Sequence, residues 1–149
     1  MRAFFAARPE LAATPLRALT GLSRELGLFS LAAKDESTRF GLNAFKLLGA
    51  RFAIETLLAE GGLRRGATVV CASEGNHGRA VARAARDAGC AARVYMAHDA
   101  APARANAIAG EGAEVIRVDG SYDDAVRILQ KDADALIEQA TASNVLTTP

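Results

Sequence analysis

The sequence predicts an α/β fold in which consecutive βαβ units build a parallel sheet. Three short apolar runs, starting near residues 68, 92 and 114, have the length and the β-branched content of buried strands. A segment with helical periodicity and clear start and stop signals separates each run from the next. Strands joined through helices in this way lie parallel in one sheet, with right-handed crossovers.

The composition indicates a globular protein and excludes several functional classes. Half of the residues are hydrophobic, and 18 basic residues nearly balance 17 acidic ones. This balance predicts no nucleic-acid partner, and the apolar runs are too interrupted to predict a membrane span. Cys71 and Cys90 stand apart from any further cysteine or histidine cluster, which argues against a zinc site and a disulfide framework. We therefore expect a protein of the reducing cytoplasm.

The first third of the chain carries weaker signals than the rest. Pro15 keeps the preceding residue out of helix, so Thr14–Leu19 is predicted to be extended or to turn. A short strand is expected around Leu28–Ala33. Asn43 resembles a residue that opens a helix, and the helix predicted over Ala44–Glu60 ends at a pair of glycines.

After residue 66 the elements follow one another at short intervals. Gly89 and Gly110 mark helix ends, Pro102 suits a first helical turn, and Ser121 with Asp124 resembles a capping box. In chain order we expect strand Thr68–Ala72, loop Ser73–Gly78, helix Arg79–Ala88, strand Ala92–Met96, helix Pro102–Ala109, strand Glu114–Val118 and a helix from Ser121 to about Glu138. The remaining residues, 139–149, are polar and without a pattern.

Lys46 is unusual because it falls in the first turn of its predicted helix, where the helix dipole disfavours a cation. Helical geometry places Ala50, Ala53 and Leu57 within about 40° of it, so the lysine shares a small apolar face. An ordinary lysine would extend past such a face into water. A functional lysine would be kept neutral by desolvation and by the dipole, and its amine could then attack a carbonyl. The pattern alone leaves both interpretations open.

The segment SEGNHG, at residues 73–78, is a second candidate because it joins a parallel strand to its helix. Ligands of open α/β sheets bind at the carboxyl ends of strands, and the first N–H groups of a helix bind anions. Gly75 and Gly78 would let the backbone approach a ligand, and Asn76 can donate and accept hydrogen bonds at a ring edge. The alternative is a plain glycine turn before a helix.

Two further polar residues of this segment are candidates with ordinary explanations beside them. Glu74 could act as an acid or base, or could be a solvated loop carboxylate. His77 could contact a ligand, although a lone loop histidine is more often hydrogen-bonded locally. The segment matches neither the dinucleotide fingerprint nor the Walker loop, so a nucleotide-binding module is disfavoured.

The stretches KDESTRFGLNAFKLLGA, SEGNHGRAVARAARDAG and VYMAHDAAPARANAIAGEGAEVIRVDGSYDDAVR together resemble the diaminopropionate ammonia-lyase family. That family belongs to the tryptophan-synthase-β-like, or fold type II, pyridoxal-phosphate enzymes. The resemblance covers about Thr14 to Arg127, and the long block that ends in Lys46 is its most specific part. The Gly-Asn-His-Gly loop also occurs in threonine-dehydratase-like members.

The resemblance implies a role for each candidate. Lys46 would form the Schiff base with pyridoxal 5'-phosphate and move the α-proton of the substrate, and Asn76 would hydrogen-bond the phenolic oxygen of the cofactor. Glu74 occupies the position of a family aspartate that helps to deprotonate the D-isomer, and it reaches one methylene further. The residues expected to hold the substrate carboxylate are Ser73, Gly75, Asn76, His77 and Gly78.

The implied reaction is the elimination of ammonia from 2,3-diaminopropionate, a small amino-acid substrate. Removing the α-proton needs an electron sink that no side chain supplies and pyridoxal phosphate does. The aminoacrylate product would hydrolyse to pyruvate and a second ammonia. Two alternatives within the superfamily are a serine/threonine dehydratase and a β-replacing relative of cysteine synthase.

Members of this family continue well beyond 149 residues, with a glycine-rich phosphate-binding loop in the second half. The sequence carries no such loop, and the resemblance fades after about Ile128. We therefore expect an N-terminal fragment with little independent activity, in which residues 1–66 belong to a larger subdomain, 67–138 form a smaller βαβ subdomain and 139–149 are a tail. Association as a homodimer or with a separate C-terminal half is expected. The competing interpretation is a non-catalytic remnant that binds a small anion or a partner chain.

Overall fold

A three-stranded parallel sheet lies at the centre of the computed structural model, which describes residues 2–145. Most other elements are helices, with two single 3-10 turns at Pro9–Leu11 and Arg39–Gly41. The elements in chain order are α1 (Arg2–Ala6), β1 (Leu16–Ala18), α2 (Thr20–Glu25), β2 (Ala32–Lys34), α3 (Leu47–Ala59), β3 (Thr68–Ala72), α4 (Asn76–Asp87), β4 (Ala91–Ala97), α5 (Pro102–Ala109), β5 (Glu114–Val118) and α6 (Tyr122–Val145). No helix in this part of the chain has the length and apolar character needed to cross a membrane.

The sheet confirms the predicted α/β class. Its strand order is β3-β4-β5, and both pairs are parallel, with Val69 beside Ala92 and Val94 beside Val115. The bounds of β3, α5 and β5 are those predicted from the sequence, and β4 is one residue longer at each end than expected. Each of these elements carries its own start and stop signals, which is why local sequence predicted them.

Helices cover both faces of the sheet. Val94 and Met96 of β4 point into a core shared with α3, α4 and α5, whereas Tyr95 points to the opposite face, against Val118 and α6. The Tyr95 hydroxyl donates a hydrogen bond to the carboxylate of Asp132 on α6. Because the central strand is buried on both faces, nearly every side chain along it is apolar.

An antiparallel ribbon of β1 and β2 precedes the sheet. Leu16 pairs with Lys34, and all six residues of the two strands are exposed. The segment Thr14–Leu19 is extended as predicted, whereas the second strand lies several residues later than the start predicted at Leu28. A two-stranded ribbon without a cover is marginally stable in water.

The helix that follows Lys46 begins later than predicted, at Leu47 instead of Ala44. Phe40, Gly41 and Asn43 all have positive φ angles, of 56°, 69° and 55°. A backbone in this left-handed region cannot continue a right-handed helix, and Asn43 therefore does not cap α3. Lys46 itself is the capping residue and makes no side-chain capping hydrogen bond.

Helix α3 buries a different side from the small apolar face that Lys46 was predicted to share. Leu47 and Ile54 are buried against α4, whereas Ala53 and Leu57 of that predicted face are exposed. Large aliphatic side chains gain more from burial than alanine does, so Leu47 and Ile54 decide which face packs. Lys46 lies about 100° away from this buried stripe, because successive helix residues are 100° apart.

The N-terminal segment covers the side of α3 that carries charges. Arg8 contacts Glu55 at 2.5 Å, and Arg51 contacts Glu10 at 3.1 Å. The rings of three phenylalanines, Phe4, Phe5 and Phe52, pack together beside these ion pairs. Local pattern cannot predict this contact, because it joins segments about 45 residues apart.

Two other helices are longer than the sequence suggested. Helix α4 begins at Asn76, three residues before the expected start, and α6 continues past Glu138 to Val145. The expected tail at 139–149 is thus helical as far as Val145, and its last residues, 146–149, lie outside the described residues. No glycine or proline interrupts α6. Its capping box is confirmed, since the Asp124 carboxylate accepts from the Ser121 N–H at 2.8 Å.

Gly78 allows α4 to lie close to the sheet. A Cβ atom at this position would lie 3.0 Å from Val94 Cγ1, 3.0 Å from Ile108 Cδ1 and 3.1 Å from Ser73 Cβ. These three atoms belong to β4, α5 and the loop after β3. The missing side chain therefore sets how closely three segments meet at the start of α4.

We expect Gly78→Ala to destabilise the fold by about 1–2 kcal/mol, because overpacking here outweighs the better helix propensity of alanine. Gly49→Ala is the matched control, since a Cβ there has no neighbour within 4 Å in the interior of α3. This control should gain about 0.5–1 kcal/mol. Urea denaturation of both variants checks the two signs, and a stabilised Gly78→Ala variant would contradict the packing argument.

Candidate functional site

The loop after β3 is held by the side chain of Ser73. Its hydroxyl oxygen accepts hydrogen bonds from the N–H of Gly78 at 2.8 Å and of Gly75 at 3.2 Å. The Ser73 N–H in turn donates to the carbonyl of Tyr95 on β4, at 2.9 Å. The loop is thereby folded back onto the carboxyl end of the sheet, with the first turn of α4 fixed beside it.

Ser73 and Gly78 are the two buried members of the predicted substrate-binding set. Gly78 lies within the first turn of α4, not in the loop, and its N–H is already bonded to Ser73. The expectation that Gly78 frees the backbone for a ligand is therefore corrected: its lack of a side chain serves helix packing. Direct contact of either residue with a substrate stays a prediction.

The remaining members of the set face outwards. Asn76 and His77 are exposed, and their N–H groups have no acceptor among the described residues, as is usual for the first turn of a helix. A Cβ at Gly75 would meet no atom within 4 Å. The donors that α4 can offer to an anion are therefore those of Asn76 and His77.

An open cavity of about 560 Å³ lies between the start of α4 and α5. Glu74, Gly75 and Asn76 line one side of it, and the opposite side carries Arg104 between two alanines of α5. The structure thus brings three of the sequence-predicted residues together around one opening. It combines a carboxylate, an amide and a helix N-terminus, which suits a small zwitterion.

Lys46 does not line this cavity. Its side chain is exposed, and its ammonium nitrogen lies 5.4 Å from the centroid of the Phe45 ring. No described backbone group, and no side chain up to residue 139, offers the ammonium a hydrogen-bond acceptor or a carboxylate partner. The expectation that an apolar helix face desolvates Lys46 is therefore wrong for this structure, because the lysine precedes α3 and points away from its buried stripe.

The segment before Lys46 is fixed by a buried guanidinium. Arg39 is 5% exposed and donates to the Glu36 carboxylate at 2.6 Å and to the carbonyl of Ala12 at 2.7 Å. The hydrogen bond from Arg39, followed by one from Thr14, lowers the pKa of Glu36 to about 2. Removing one partner of a buried charge pair is strongly destabilising. Part of the block that precedes Lys46 therefore serves to anchor it.

Arg79 is a site residue that the sequence analysis missed. It lines the cavity from the first turn of α4 and reaches the carbonyl of Leu42 and the carboxylate of Glu111. The signal that could have found it is the one used for Lys46, a cation in the first turn of a helix. The signal was already present in the sequence, because the helix was predicted to begin at Arg79 itself.

Cys71 packs against the core of the fold. It lies on β3, partly buried against the main core, and burial raises the pKa of its thiol to about 11. The thiol is therefore protonated at neutral pH, which makes it a poor nucleophile. Cys90 is buried and also free.

Comparison with known proteins assigns the fold to a family. The model of the family described as pyridoxal-phosphate dependent enzyme matches residues 7–147. Diaminopropionate ammonia-lyase of Escherichia coli is 41% identical over 135 residues, which are 80% of this chain and 34% of that enzyme. A biosynthetic L-threonine dehydratase of Haemophilus influenzae is 33% identical over 112 residues, 75% of this chain and 21% of the dehydratase.

Solved structures agree with the sequence comparison. The crystal structure of the Escherichia coli ammonia-lyase in complex with an aminoacrylate-PLP azomethine intermediate superposes with a TM-score of 0.77 at 43% identity. The match covers 83% of this chain and 34% of the crystallised one. The chain thus spans about a third of the length of the ammonia-lyase and about a fifth of that of the dehydratase.

Ser73→Ala should lower the free energy of unfolding by about 1–2 kcal/mol, because it leaves the buried Gly78 N–H without an acceptor. Amide hydrogen exchange at Gly78 should accelerate at the same time. Ser121→Ala removes the comparable cap of α6 and should cost stability without changing exchange at Gly78. Unchanged exchange in Ser73→Ala would show that the hydroxyl does not hold the loop.

Acid should weaken the anchoring of the segment before Lys46. The pKa of Glu36 lies below its ordinary value of 4.5, so its ionised form stabilises the fold above about pH 4.5, and this contribution disappears as the pH falls through 2. Glu36→Gln should lower the urea midpoint at pH 7 and flatten its pH dependence between 4.5 and 2. Glu25→Gln, at an exposed position of α2, should do neither.

Proposed function

The chain belongs to the pyridoxal-phosphate-dependent enzyme family. We propose that it is the part of a diaminopropionate ammonia-lyase that carries the Schiff-base lysine, Lys46, and contacts the ring of the cofactor. The observation that carries this proposal is the 41% identity to ammonia-lyases over four fifths of the chain. The proposed reaction converts 2,3-diaminopropionate into pyruvate and ammonia. The relatives named above act on small amino acids, which is the substrate class that we propose here. The sequence has a net charge of only +1, which does not favour binding to a nucleic acid.

The described residues fit the ring end of pyridoxal phosphate. Lys46 offers an exposed amine that is not paired with a carboxylate, and such an amine can combine with an aldehyde once it loses its proton. Asn76 presents an exposed side-chain amide at the start of α4, with open space at Gly75 beside it. For the phosphate end, the only adjacent glycines, Gly61 and Gly62, lie at the end of α3 and not in a loop that could enclose it.

When it is bound, pyridoxal phosphate supplies the electron sink for removal of the substrate α-proton. The chain's own residues would bind the substrate and move protons. The N–H groups of Asn76 and His77 can hold a carboxylate, helped by the dipole of α4. Lys46 would carry the α-proton of one stereoisomer, and Glu74, at the rim of the cavity, that of the other.

Efficient turnover needs residues that this part of the chain does not provide. Lys46 is exposed here, whereas a reactive lysine gains from desolvation, which lowers the fraction in the charged form. The exposed β1–β2 ribbon, with Leu16 open to solvent, supports association with a second copy or with polypeptide equivalent to the other two thirds of the relatives. We therefore propose that this chain alone has little activity.

A cytoplasmic location is part of the proposal. Cys71 and Cys90 are both free thiols and lie on or beside the central sheet. Free buried thiols are typical of reducing compartments, where disulfides are rare.

A serine/threonine dehydratase is the second candidate, supported by the 33% identity to threonine dehydratase. Both reactions would use Lys46 and would rely on pyridoxal phosphate as the electron sink. They differ in the group that leaves the β-carbon of the substrate. Glu74 favours the ammonia-lyase, because a carboxylate at the rim of the cavity attracts the second ammonium of diaminopropionate. The third candidate is a remnant that binds only a small anion. Such a remnant would keep the N–H donors at the start of α4, but pyridoxal phosphate would not react with Lys46 in preference to the other lysines.

The test is covalent trapping of the cofactor. The chain is incubated with pyridoxal phosphate, reduced with borohydride and mapped by mass spectrometry at its three lysines, Lys34, Lys46 and Lys131. We expect about tenfold more adduct on Lys46 than on the other two, a ratio that corresponds to about 1.4 kcal/mol of specific binding. Lys46→Ala should leave only the background at Lys34 and Lys131.

Equal labelling of the three lysines would contradict the proposed function. Substrate choice is measured in a second experiment, as the slow release of ammonia by the chain from diaminopropionate, serine and threonine. Release that is fastest from diaminopropionate supports the ammonia-lyase, whereas faster release from threonine or serine supports the dehydratase. Rapid turnover by the chain alone would contradict the proposal that other polypeptide is needed.

A further inference from the structure

We propose that Arg79 is a positioning residue, which fixes the Lys46 segment against α4, the helix that begins at Asn76. This inference rests on the proposed function for the roles of Lys46 and Asn76. The contact itself belongs to the fold and can be tested without the cofactor. No other side chain of α4 is seen to hydrogen-bond the turn that leads to Lys46 within the described residues.

Arg79 joins three segments through one guanidinium. Its Nη1 donates to the carbonyl of Leu42 at 3.3 Å, and its Nη2 donates to the Glu111 carboxylate at 3.2 Å. Leu42 precedes Lys46 by four residues, and Asn76 precedes Arg79 by three. The guanidinium therefore connects the segment that leads to Lys46 with the helix that begins at Asn76.

The Glu111 carboxylate holds the Arg79 guanidinium in place through an ion pair. The Glu111 carboxylate is also approached by Arg83 at 3.8 Å and by Arg86 at 3.3 Å, and Arg86 donates to the Glu111 carbonyl at 2.9 Å. The carboxylate is largely shielded from water, with 13% of its side chain exposed. Arg79 is thus held from one side and can hold Leu42 on the other.

The turn around Leu42 needs such a restraint. Phe40 adopts a positive φ angle, which is uncommon for a bulky residue and persists where surrounding contacts impose it, and Asn43, of a type that tolerates this region, does so as well. Leu42 between them is 3% exposed, and its carbonyl accepts from Arg79. The direction in which the chain leaves this turn towards Lys46 therefore depends on a buried side chain and on one hydrogen bond from α4.

The electrostatics of α4 argue that Arg79 is not there to stabilise its own helix. A cation in the first turn opposes the helix dipole, and the Nε of Arg79 is buried without an acceptor among the described residues. Both features are unfavourable for folding. The contacts to Leu42 and Glu111 offset them, and a planar fork suits two acceptors on different segments better than a lysine does.

The test compares Arg79→Gln with Arg83→Gln in the whole chain. Arg83 is the matched control, because it lies one turn further along α4 and approaches the same Glu111 carboxylate without contacting Leu42. Hydrogen–deuterium exchange is read on the peptide that covers residues 39–47. We expect faster exchange there in Arg79→Gln and unchanged exchange in Arg83→Gln.

Cofactor trapping gives the second readout. We expect Arg79→Gln to reduce the Lys46-to-Lys34 ratio of trapped pyridoxal phosphate by about tenfold, the order expected for one lost charge-assisted hydrogen bond. Arg83→Gln should stay within about twofold of the wild type by the same scale. Val118→Ala, which weakens the core on the α6 side, controls for a general loss of stability.

The outcomes separate this inference from the proposed function. Equal labelling of all lysines in the wild type would refute the function, and the exchange experiment would still decide the role of Arg79. A selective wild type together with unchanged labelling and exchange in Arg79→Gln would overturn the positioning role alone. An equal loss in Arg83→Gln or in Val118→Ala would also overturn it, because the effect would then be general.

Discussion

The close approach of α4 to the sheet at Gly78 is the constraint on which the candidate site depends. Without a side chain at this position, the helix start settles against Val94 and Ile108, near enough for Ser73 to accept the Gly78 N–H. The loop between them is then short and closed. The half-buried carboxylate of Glu74 in this loop and the exposed Asn76 at the start of α4 both line the cavity beside α5.

Two arginines restrain the segment that carries Lys46, while the lysine itself stays open. Arg39 ties the beginning of the segment to the N-terminal residues, and Arg79 ties its turn to α4. The helix that follows the lysine leaves an apolar side, with Ala53 and Leu57, exposed. An exposed amine on a restrained backbone segment is what we expect of one part of a composite site. The polypeptide that covers the amine would then supply its desolvation.

The sequence by itself determined the α/β class, strands β3 and β5 and helix α5 to the residue, and strand β4 to within one residue at each end. These elements are specified by local signals, such as a β-branched run bounded by polar residues or a proline and a glycine at the two ends of a helix. It also placed the candidate loop at the carboxyl end of β3, because that position follows from the order of strands and helices. The resemblance to a lyase family rests on the same contiguous blocks, and the family model confirms it.

Only the tertiary structure decided where α3 begins, which of its faces is buried and what the loop residues contact. The left-handed backbone at Phe40 is uncommon for an aromatic residue, and only the folded chain shows that the turn through Gly41 and Asn43 delays the start of α3 to Leu47. The role of Gly78 depends partly on Val94 and Ile108, 16 and 30 residues away, and Arg79 reaches the Glu111 carboxylate and the Leu42 carbonyl, 32 and 37 residues away. Hydrogen bonds and packing across such separations are absent from any sequence window, so they become visible only when the chain is folded.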